Sequence, residues 1–240
     1  MQGKKDVLKS LNENQLQAVT NFQGPTLIIA GAGSGKTRVL THRIAYMIQQ
    51  GIHPARIMAL TFTNKAADEM KERIAHMVSY KQARQLWMGT FHSIFRRILK
   101  DEAEKLKYNS NFTIYDTDDS KSLIKNIIKT LNLDTEKYKV NDILSRISKA
   151  KNNLITYQAY KNNKEYLQSD AKRKNDALWQ IYEHYQIRLK IANAMDFDDL
   201  LVNTNILFRD FADVLEKYQN LFDYILVDEY QDTNFAQYLI

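Results

Sequence analysis

A cluster of glycines in a glycine-poor chain places the tightest constraint on the fold. The 240-residue sequence contains seven glycines, and Gly31, Gly33 and Gly35 all fall within the segment AGAGSGKT at 30–37. Glycine is favoured where the backbone turns sharply or approaches another group closely. An apolar run precedes this segment and a helical pattern follows it. The sequence therefore predicts a strand, a glycine-rich loop and a helix in succession.

The segment at 30–37 has the composition of a phosphate-binding loop, in which backbone N–H groups and a helix N-terminus bind anions. In such a loop Lys36 contacts the β- and γ-phosphates of a nucleotide, and the Thr37 hydroxyl is a ligand of Mg²⁺. Ala30 stands where the strict pattern has glycine, but the residues from Gly33 to Thr37 are intact. The residues expected to bind nucleotide here are Ala30, Gly31, Ala32, Gly33, Ser34, Gly35, Lys36 and Thr37.

Short apolar runs are typical of buried strands, and the first three alternate with amphipathic helical patterns. The predicted strands are 26–30, 57–62, 86–90 and 224–228, and the predicted helices between the first three are 36–50 and 64–78. Strands that alternate with helices form a parallel sheet with right-handed crossovers. The fold class is therefore α/β.

From 94 to 194 the pattern is almost exclusively helical, and sheet character returns only at 224. Three apolar stripes mark helices there: Leu123, Ile124, Ile127, Ile128 and Leu131; Ile143, Leu144 and Ile147; and Leu178, Ile181, Tyr182, Tyr185 and Leu189. The expected domains are an α/β core at 1–93, an all-helical insertion at 94–195, and the rest of the core at 196–240. The insertion holds 20 Lys and Arg against 13 Asp and Glu, a net charge of +7 within a chain of net charge +6. A solvated helical surface and a surface that faces nucleic acid both explain this excess.

An acidic pair, Asp228 and Glu229, ends the last apolar run. Mg²⁺ in a nucleotide site needs a carboxylate at the end of a neighbouring strand, and hydrolysis needs a group that orients water. We expect Asp228 to hold the metal ion and Glu229 to act as general base. Acidic pairs are also typical of helix starts, but the phosphate loop in the same predicted sheet favours the catalytic interpretation.

Composition excludes several other classes of protein. The sequence has no cysteine, which excludes disulfides, thiolate metal sites and cysteine nucleophiles. The first residues lack an apolar signal region, and no apolar stretch approaches 18 residues. These features predict a cytoplasmic chain with no membrane partner.

Taken with the phosphate loop, the sequence VDEYQDTN at 227–234 resembles the superfamily 1 DNA helicases of the UvrD/PcrA/Rep type. Further blocks match in order: 11–19 is similar to the Q motif, 61–67 to motif Ia, 89–93 to motif Ib, and 196–201 to a block that follows the helical subdomain. The resemblance covers essentially the whole chain. It implies a RecA-like P-loop NTPase core (subdomain 1A) interrupted by a helical subdomain 1B.

The resemblance also implies an activity, ATP-dependent 3′-to-5′ unwinding of DNA in repair or replication, with ATP and Mg²⁺ bound. Gln15 then contacts the adenine edge and Arg38 lies against the adenine ring. Gln231 and Asp232 link the γ-phosphate to neighbouring motifs. The residues expected to contact single-stranded DNA are Phe62, Thr63, Asn64, Thr90, Phe91, His92 and Ser93.

Two apparent metal sites are set aside. His92 has no second histidine or carboxylate at ligand spacing, and Glu229 already fills the role of base. Three acids at the start of 196–201, Asp196, Asp198 and Asp199, are better explained by helix capping and by the helix dipole.

By resemblance, the chain stops within the helix that VDEYQDTN begins, whereas the family continues into a second RecA-like domain. The expected partners are single-stranded DNA, its junctions with duplex, and the remaining half of the helicase polypeptide. Residues 1–240 alone are expected to be inactive. The alternatives are the motor part of a repair nuclease, a non-catalytic nucleotide- or DNA-binding module, and, more remotely, a small-molecule kinase. DNA stimulation of an ATPase separates the helicase and the nuclease motor from the binding module and the kinase.

Overall fold

The computed structural model of the protein describes residues 7–31 and 33–240, which form two compact units. The α/β unit contains residues up to 94 and residues 216–232, and the helical unit contains residues 95–215 and 233–240. The helices are α1 (Glu13–Thr20), α2 (Lys36–Gln49), α3 (Asn64–Met77), α4 (Tyr80–Ala83), α5 (Phe91–Asp101), α6 (Thr117–Thr130), α7 (Val140–Asn152), α8 (Tyr157–Asn162), α9 (Lys164–Lys172), α10 (Leu178–Ile191), α11 (Phe197–Asp210), α12 (Ala212–Leu221) and α13 (Phe235–Leu239). The strands are β1 (Ile57–Thr61), β2 (Trp87–Thr90), β3 (Thr113–Tyr115), β4 (Ala194–Asp196) and β5 (Tyr224–Val227).

The α/β unit is built on a parallel sheet with strand order β2–β1–β5. In its register Leu60 of β1 lies opposite Gly89 on one side and Val227 on the other. All five residues of β1 are buried, so both faces of the sheet are covered along this strand. The parallel sheet and the strands predicted at 57–62, 86–90 and 224–228 are confirmed, each within one or two residues at its ends.

The strand predicted at 26–30 is wrong. The segment has no ladder partner among the described residues, and Leu27 and Ile29 are 72% and 89% exposed. An apolar run forms a strand only where a neighbour takes up its backbone N–H and C=O groups. The pattern of apolar residues in the sequence identifies the run, but it does not indicate whether a neighbouring strand exists.

Local signals place the two helices that flank the sheet as the sequence predicts. Helix α2 follows Gly35, whose φ of +90° is left-handed, and it ends before Gly51, whose φ is +97°. The side chain of Thr63 caps α3 by accepting a hydrogen bond from the N–H of Ala66. The apolar residues of the helices and strands of this unit form one core: Ile44, Met47, Ile48, Ile57, Ala59, Met70, Ile74, Ala75, Ala83, Leu86, Met88 and Leu226.

The helical unit has its own core, drawn mainly from α6, α7 and α10. All three apolar stripes named from the sequence lie in or against that core, so these helices are confirmed: buried members include Ile124, Ile127, Ile128, Ile143, Ile147, Leu178, Ile181, Tyr182, Tyr185 and Leu189. The expectation that sheet character returns only at residue 224 is wrong, because β3 and β4 pair in parallel before it. Strands of three residues are too short to show a period. Within the described ranges, no helix has both the length and the apolar character that crossing a bilayer requires.

Candidate functional site

The predicted site residues of the α/β unit gather at the carboxyl ends of the strands. Phe62 follows β1, Phe91 follows β2 and Asp228 follows β5. Because the three strands are parallel and in register, their carboxyl ends form a single edge of the sheet. Ligands of open α/β sheets bind along this edge.

Two glycines and one serine determine the backbone conformation of the phosphate loop. Gly33 and Gly35 have φ of +75° and +90°, values that disfavour residues with a Cβ. The N–H and hydroxyl of Ser34 both donate to Gly31 O, at 3.3 and 2.7 Å. A Cβ added at Gly31 or Gly33 would meet no atom within 4 Å, so the space beside both glycines is open. Ala32, predicted in the same site, lies outside the described residues.

Gln15 contacts the phosphate loop, whereas the described side-chain bond of Arg38 is with the turn before α1. Gln15 donates from Nε2 to Ser34 O at 3.1 Å. A Cβ on Gly35 would lie 2.9 Å from Gln15 Nε2, and the left-handed φ of Gly35 already favours glycine at this position. Arg38 donates from Nη2 to Ser10 O at 2.7 Å, a contact that ties α2 to the turn before α1 and that the sequence did not indicate.

Lys36 and Thr37 form the first turn of α2, where the helix dipole favours an anion. Lys36 Nζ donates to Ala30 O at 3.4 Å and lies 4.0 Å from Glu229 Oε2. The structure therefore brings the loop lysine and the acidic pair, about 190 residues apart in sequence, into one site.

Asp228 extends the β5–β1 ladder, since its N–H donates to Leu60 O at 2.9 Å. Burial and the adjacent charge of Glu229 raise the pKa of its carboxyl above the ordinary value. A cation beside Asp228 would offset this like-charge cost. The hydroxyl of Thr37 and the carboxylate of Asp228 are oxygen ligands of the kind that Mg²⁺ prefers, so the donor set fits that ion.

Glu229 has an unusual backbone conformation for its residue type. Its φ of +49° lies in the left-handed region. The turn that follows is closed by the Asp232 N–H, which donates to Glu229 O at 2.9 Å. Gln231 donates from Nε2 to Glu229 Oε2 at 2.5 Å, so the carboxylate is held by Gln231 and faces Lys36.

Among the predicted DNA contacts, Phe62 and Phe91 differ in exposure. Phe91 is only 3% exposed, and its ring centroid lies 5.6 Å from that of Phe62, which is half-buried. Phe91 therefore supports the Phe62 ring from the core side. A base can stack only on the ring that reaches the surface, and of these two it is Phe62.

The polar residues of the same edge are held by their own helix starts. Thr63 caps α3, and Asn64 is exposed beside it. Thr90 Oγ1 accepts from the Ser93 N–H, and the Ser93 hydroxyl donates to Thr90 O at 2.9 Å, so its proton is already engaged. A Cβ on Gly89 would lie 2.3 Å from Ser93 Oγ, which explains glycine there. His92, in the same turn, is half-buried.

In the helical unit, the capping role predicted for the acids at 196–199 is confirmed. Asp196 caps α11 and forms a reciprocal capping box with Asp199. Sequence reasoning missed their partner, Lys151, whose Nζ lies 2.6 Å from Asp196 Oδ2 and 2.8 Å from Asp199 Oδ1. A signal existed, because Lys151 falls four residues after Ile147 on the apolar stripe of α7.

Comparison with known proteins finds a family model and curated relatives that match the chain. A family model described as the UvrD/REP helicase N-terminal domain matches residues 11–240. The chain is 47% identical over 231 residues to the ATP-dependent DNA helicase PcrA of Leuconostoc citreum, covering 96% of this chain and 30% of that protein. It is 46% identical to the PcrA proteins of Staphylococcus epidermidis (strain ATCC 12228) over 239 residues and of Staphylococcus aureus (strain Mu50) over 236 residues, covering 98% of this chain and 31% of each. The chain therefore spans about a third of the length of these relatives.

Proposed function

The chain belongs to the family of UvrD/REP helicase N-terminal domains, and on that premise we propose that it is the ATP-binding part of an ATP-dependent DNA helicase. The whole protein moves 3′ to 5′ on single-stranded DNA, unwinds duplex, and acts in repair or replication. The observation that carries this proposal is the meeting of Lys36 with Glu229 at the carboxyl edge of the sheet. A charged loop lysine facing an acidic pair is what phosphoryl transfer from ATP to water requires.

The nucleotide is held by the phosphate loop. Lys36 neutralises charge on the β- and γ-phosphates, and backbone N–H groups of the loop donate to the phosphate oxygens. Gln15 forms hydrogen bonds with the edge of the adenine base, and the planar guanidinium of Arg38 lies against the adenine ring. The bond from Gln15 to Ser34 O supports the first role, because it fixes that side chain at the loop.

Hydrolysis depends on the acidic pair. Glu229 accepts a proton from the attacking water as general base. Gln231 holds the Glu229 carboxylate, and together with Asp232 it links the γ-phosphate to the neighbouring motifs. Thr37 and Asp228 hold Mg²⁺, which supplies positive charge against the developing charge on the phosphate oxygens.

Single-stranded DNA binds along the same edge of the sheet. Phe62 offers a stacking surface that is indifferent to base identity, and stacking of this kind contributes roughly 1–3 kcal/mol per base. Thr63, Asn64 and the turn at 90–93 face the phosphate groups of the DNA backbone. The half-exposed Phe62 ring, supported by Phe91, supports this assignment.

We also propose the domain plan of the family, with a RecA-like core (1A) at 1–93 and 196–240 and a basic helical subdomain (1B) at 94–195. The division of the chain into an α/β unit and a helical unit supports this plan in outline. The helical unit of the structure is larger than the proposed subdomain 1B, because it also includes residues 196–215 and 233–240.

The test is steady-state ATP hydrolysis by the full-length protein with and without single-stranded DNA. We expect DNA to raise kcat severalfold or more, and Lys36→Ala to remove activity under both conditions. An ATPase that ignores DNA would favour a small-molecule kinase, and no ATPase at all would favour a binding module. Nuclease activity that accompanies unwinding in the same polypeptide would favour the motor of a repair nuclease.

For residues 1–240 alone, we propose binding without turnover. An arginine supplied by another domain commonly contributes about 10³–10⁵ in the rate of phosphoryl transfer. We expect this chain by itself to bind ATP weakly and to bind single-stranded DNA with a steep salt dependence. Unwinding of a 3′-tailed duplex by residues 1–240 would contradict the proposal.

A further inference from the structure

The side-chain amide of Gln15, in the α/β unit, is held by two backbone groups. Its Oε1 accepts a hydrogen bond from the Asn12 N–H at 3.2 Å, and its Nε2 donates to Ser34 O at 3.1 Å. The first bond belongs to the capping box that starts α1, in which Asn12 Oδ1 also accepts from the Gln15 N–H at 2.9 Å. The second bond joins α1 to the phosphate loop. We call the two bonds made by the Gln15 side chain the amide clamp.

The amide clamp gives the Gln15 side chain one orientation. A backbone N–H can only donate and a carbonyl oxygen can only accept, so the amide must turn its oxygen to Asn12 and its nitrogen to Ser34. Reversing the amide would set two donors against each other at Asn12 and two acceptors against each other at Ser34. A glutamine without these partners could present either end. The clamp therefore fixes which end of the amide accepts and which end donates.

The helix that carries the clamp is itself bonded to α2 at both of its ends. Before α1, Arg38 donates from Nη2 to Ser10 O at 2.7 Å. Near the end of α1, the buried Arg43 donates from Nη1 to Ala18 O at 2.8 Å. Because α2 begins directly after the phosphate loop, these two bonds fix α1 relative to that loop. The two backbone groups of the amide clamp are therefore held at a fixed separation.

Each end of the Gln15 amide keeps a hydrogen-bonding position that the clamp does not use. Oε1 has a second lone pair and Nε2 has a second hydrogen, and the side chain is only half-buried. A base that matches both must present a donor to Oε1 beside an acceptor for Nε2. Adenine has such an edge, because its 6-amino group lies beside a ring nitrogen that accepts. A 6-keto purine places an oxygen where adenine has the amino group, so two acceptors would face each other.

From this arrangement we propose that the backbone N–H of Asn12 determines base specificity, because it fixes the Gln15 amide in the orientation that accepts a 6-amino purine and repels a 6-keto purine. The inference rests on the proposed contact of Gln15 with adenine. Asn12 is a positioning residue, since it acts through Gln15. An unclamped amide could turn its oxygen away from a keto group, so glutamine alone discriminates weakly. The clamp adds the repulsive contact against the wrong base on which specificity depends.

The test compares binding of ATP and of inosine triphosphate, a 6-keto purine nucleotide, by calorimetry with the full-length protein in the absence of DNA. We expect the wild type to prefer ATP about tenfold or more, as one bidentate base contact allows. Asn12→Pro removes the N–H, and proline fits there because the φ of Asn12 is −75°. With Oε1 released, the amide can pivot on its bond to Ser34 and move its oxygen away from the keto group. The preference should fall to about threefold or less, and inosine triphosphate should bind more tightly than it does to the wild type.

Further variants separate the N–H of Asn12 from its role as helix cap. Asn12→Ala removes the capping side chain and keeps the N–H, so it should weaken both nucleotides by the same factor and retain the wild-type preference. The matched control is Asp116→Pro, because the Asp116 N–H donates to Asp119 Oδ2 in a capping box of the helical unit, with a φ of −79°. It should also retain the wild-type preference.

A second way to remove the N–H covers the case in which proline unfolds the start of α1. The α-hydroxy acid analogue of asparagine, placed at residue 12 by semisynthesis, has an ester oxygen in place of the N–H and keeps the capping side chain. We expect it to lower the preference for ATP as Asn12→Pro does. Thermal midpoints of all variants identify those that are folded.

The outcomes separate this inference from the function on which it rests. A wild-type preference after removal of the N–H, or an equal loss for both nucleotides, would overturn the role of Asn12. If Gln15→Met, which has a similar length and no amide, then loses the preference, the proposed contact of Gln15 with adenine still stands. A wild-type preference in Gln15→Met would overturn both that contact and the clamp. If the wild type binds no ATP, the proposed function itself is wrong.

Discussion

Lys36 Nζ lies 4.0 Å from Glu229 Oε2, so the loop lysine faces the carboxylate that follows β5. The lysine also donates to Ala30 O, and the glutamate also accepts from Gln231. Each group is therefore satisfied by partners that a nucleotide can replace. Phosphate oxygens would take the place of Glu229 around the ammonium, which would release the carboxylate towards water.

Replacing Lys36 by alanine should abolish binding of Mg·ATP, because the substitution removes the charge that faces the β- and γ-phosphates. Isothermal titration calorimetry measures this loss directly. Lys81→Ala, an exposed lysine of α4, serves as control and should bind like the wild type. Far-UV circular dichroism should be the same for all three proteins. Wild-type affinity in the Lys36 variant would show that the phosphates bind elsewhere.

Replacing Glu229 by glutamine in the full-length protein should preserve ATP binding and remove hydrolysis. An amide keeps the acceptor for Gln231, yet it cannot take a proton from water. Calorimetry should therefore show that the variant still binds ATP, whereas a phosphate-release assay should show no turnover. If phosphate release continues at the wild-type rate, another residue is the base.

Asp228→Asn should alter the metal requirement. The pKa of this carboxyl is raised by burial and by Glu229, a cost that a bound cation offsets only if the group is charged. We expect the Mg²⁺ concentration for half-maximal hydrolysis to rise severalfold. An unchanged Mg²⁺ titration would remove Asp228 from the metal site.

Much of this site follows from the sequence because its signals are local. The glycine pattern predicts the phosphate loop, and the apolar run before Asp228 predicts a strand end beside it. Parallel pairing of the two preceding runs was the reason to expect their meeting. The run at 26–30 forms no strand, so it is the contact of Lys36 with Glu229 that brings the two segments together. The left-handed backbone of Glu229 has no such signal, since nothing in its residue type predicts it.

What the sequence did not reveal depends on distant partners. The run at 26–30 has a strand composition, yet strand formation requires a neighbour that the described residues do not supply. The place of Lys151 on the apolar stripe of α7 indicates burial, but its partners Asp196 and Asp199 lie some 45 residues away in the sequence. Contacts between residues so far apart cannot be read from local periodicity.

Replacing Lys151 by alanine should destabilise the helical unit by about 3–5 kcal/mol, because the change leaves Asp196 and Asp199 buried without a counter-charge. Trp179 in α10 reports unfolding of this unit by fluorescence if Trp87 of the α/β unit is replaced by phenylalanine in all variants. Lys149→Ala, two residues away and exposed, should cost less than about 0.5 kcal/mol. Equal urea midpoints for the two lysine variants would contradict the ion-pair assignment.

Stability of the helical unit should also depend on pH through Asp199. Burial and the charge of Asp196 raise the pKa of Asp199 from its ordinary 3.8 to about 7, although Lys151 acts in the opposite direction. Between these values the folded state retains a proton that the unfolded chain has released. The contribution of Asp199 to the free energy of unfolding is therefore full below pH 3.8 and is lost as pH rises through about 7.

The comparison with Asp199→Asn isolates this contribution, because all other titrating groups are common to both proteins. The pKa of Asp196 is lowered, so its own effect falls below pH 3.8, outside the range of interest. We expect the free energy of unfolding of the wild type, relative to the variant, to decrease between pH 5 and pH 7, at up to about 1.4 kcal/mol per pH unit. Urea unfolding followed by Trp179 fluorescence at pH 5, 6, 7 and 8 measures it. A difference between the two proteins that stays constant over this range would mean that Asp199 is ionised throughout, with Lys151 outweighing its burial.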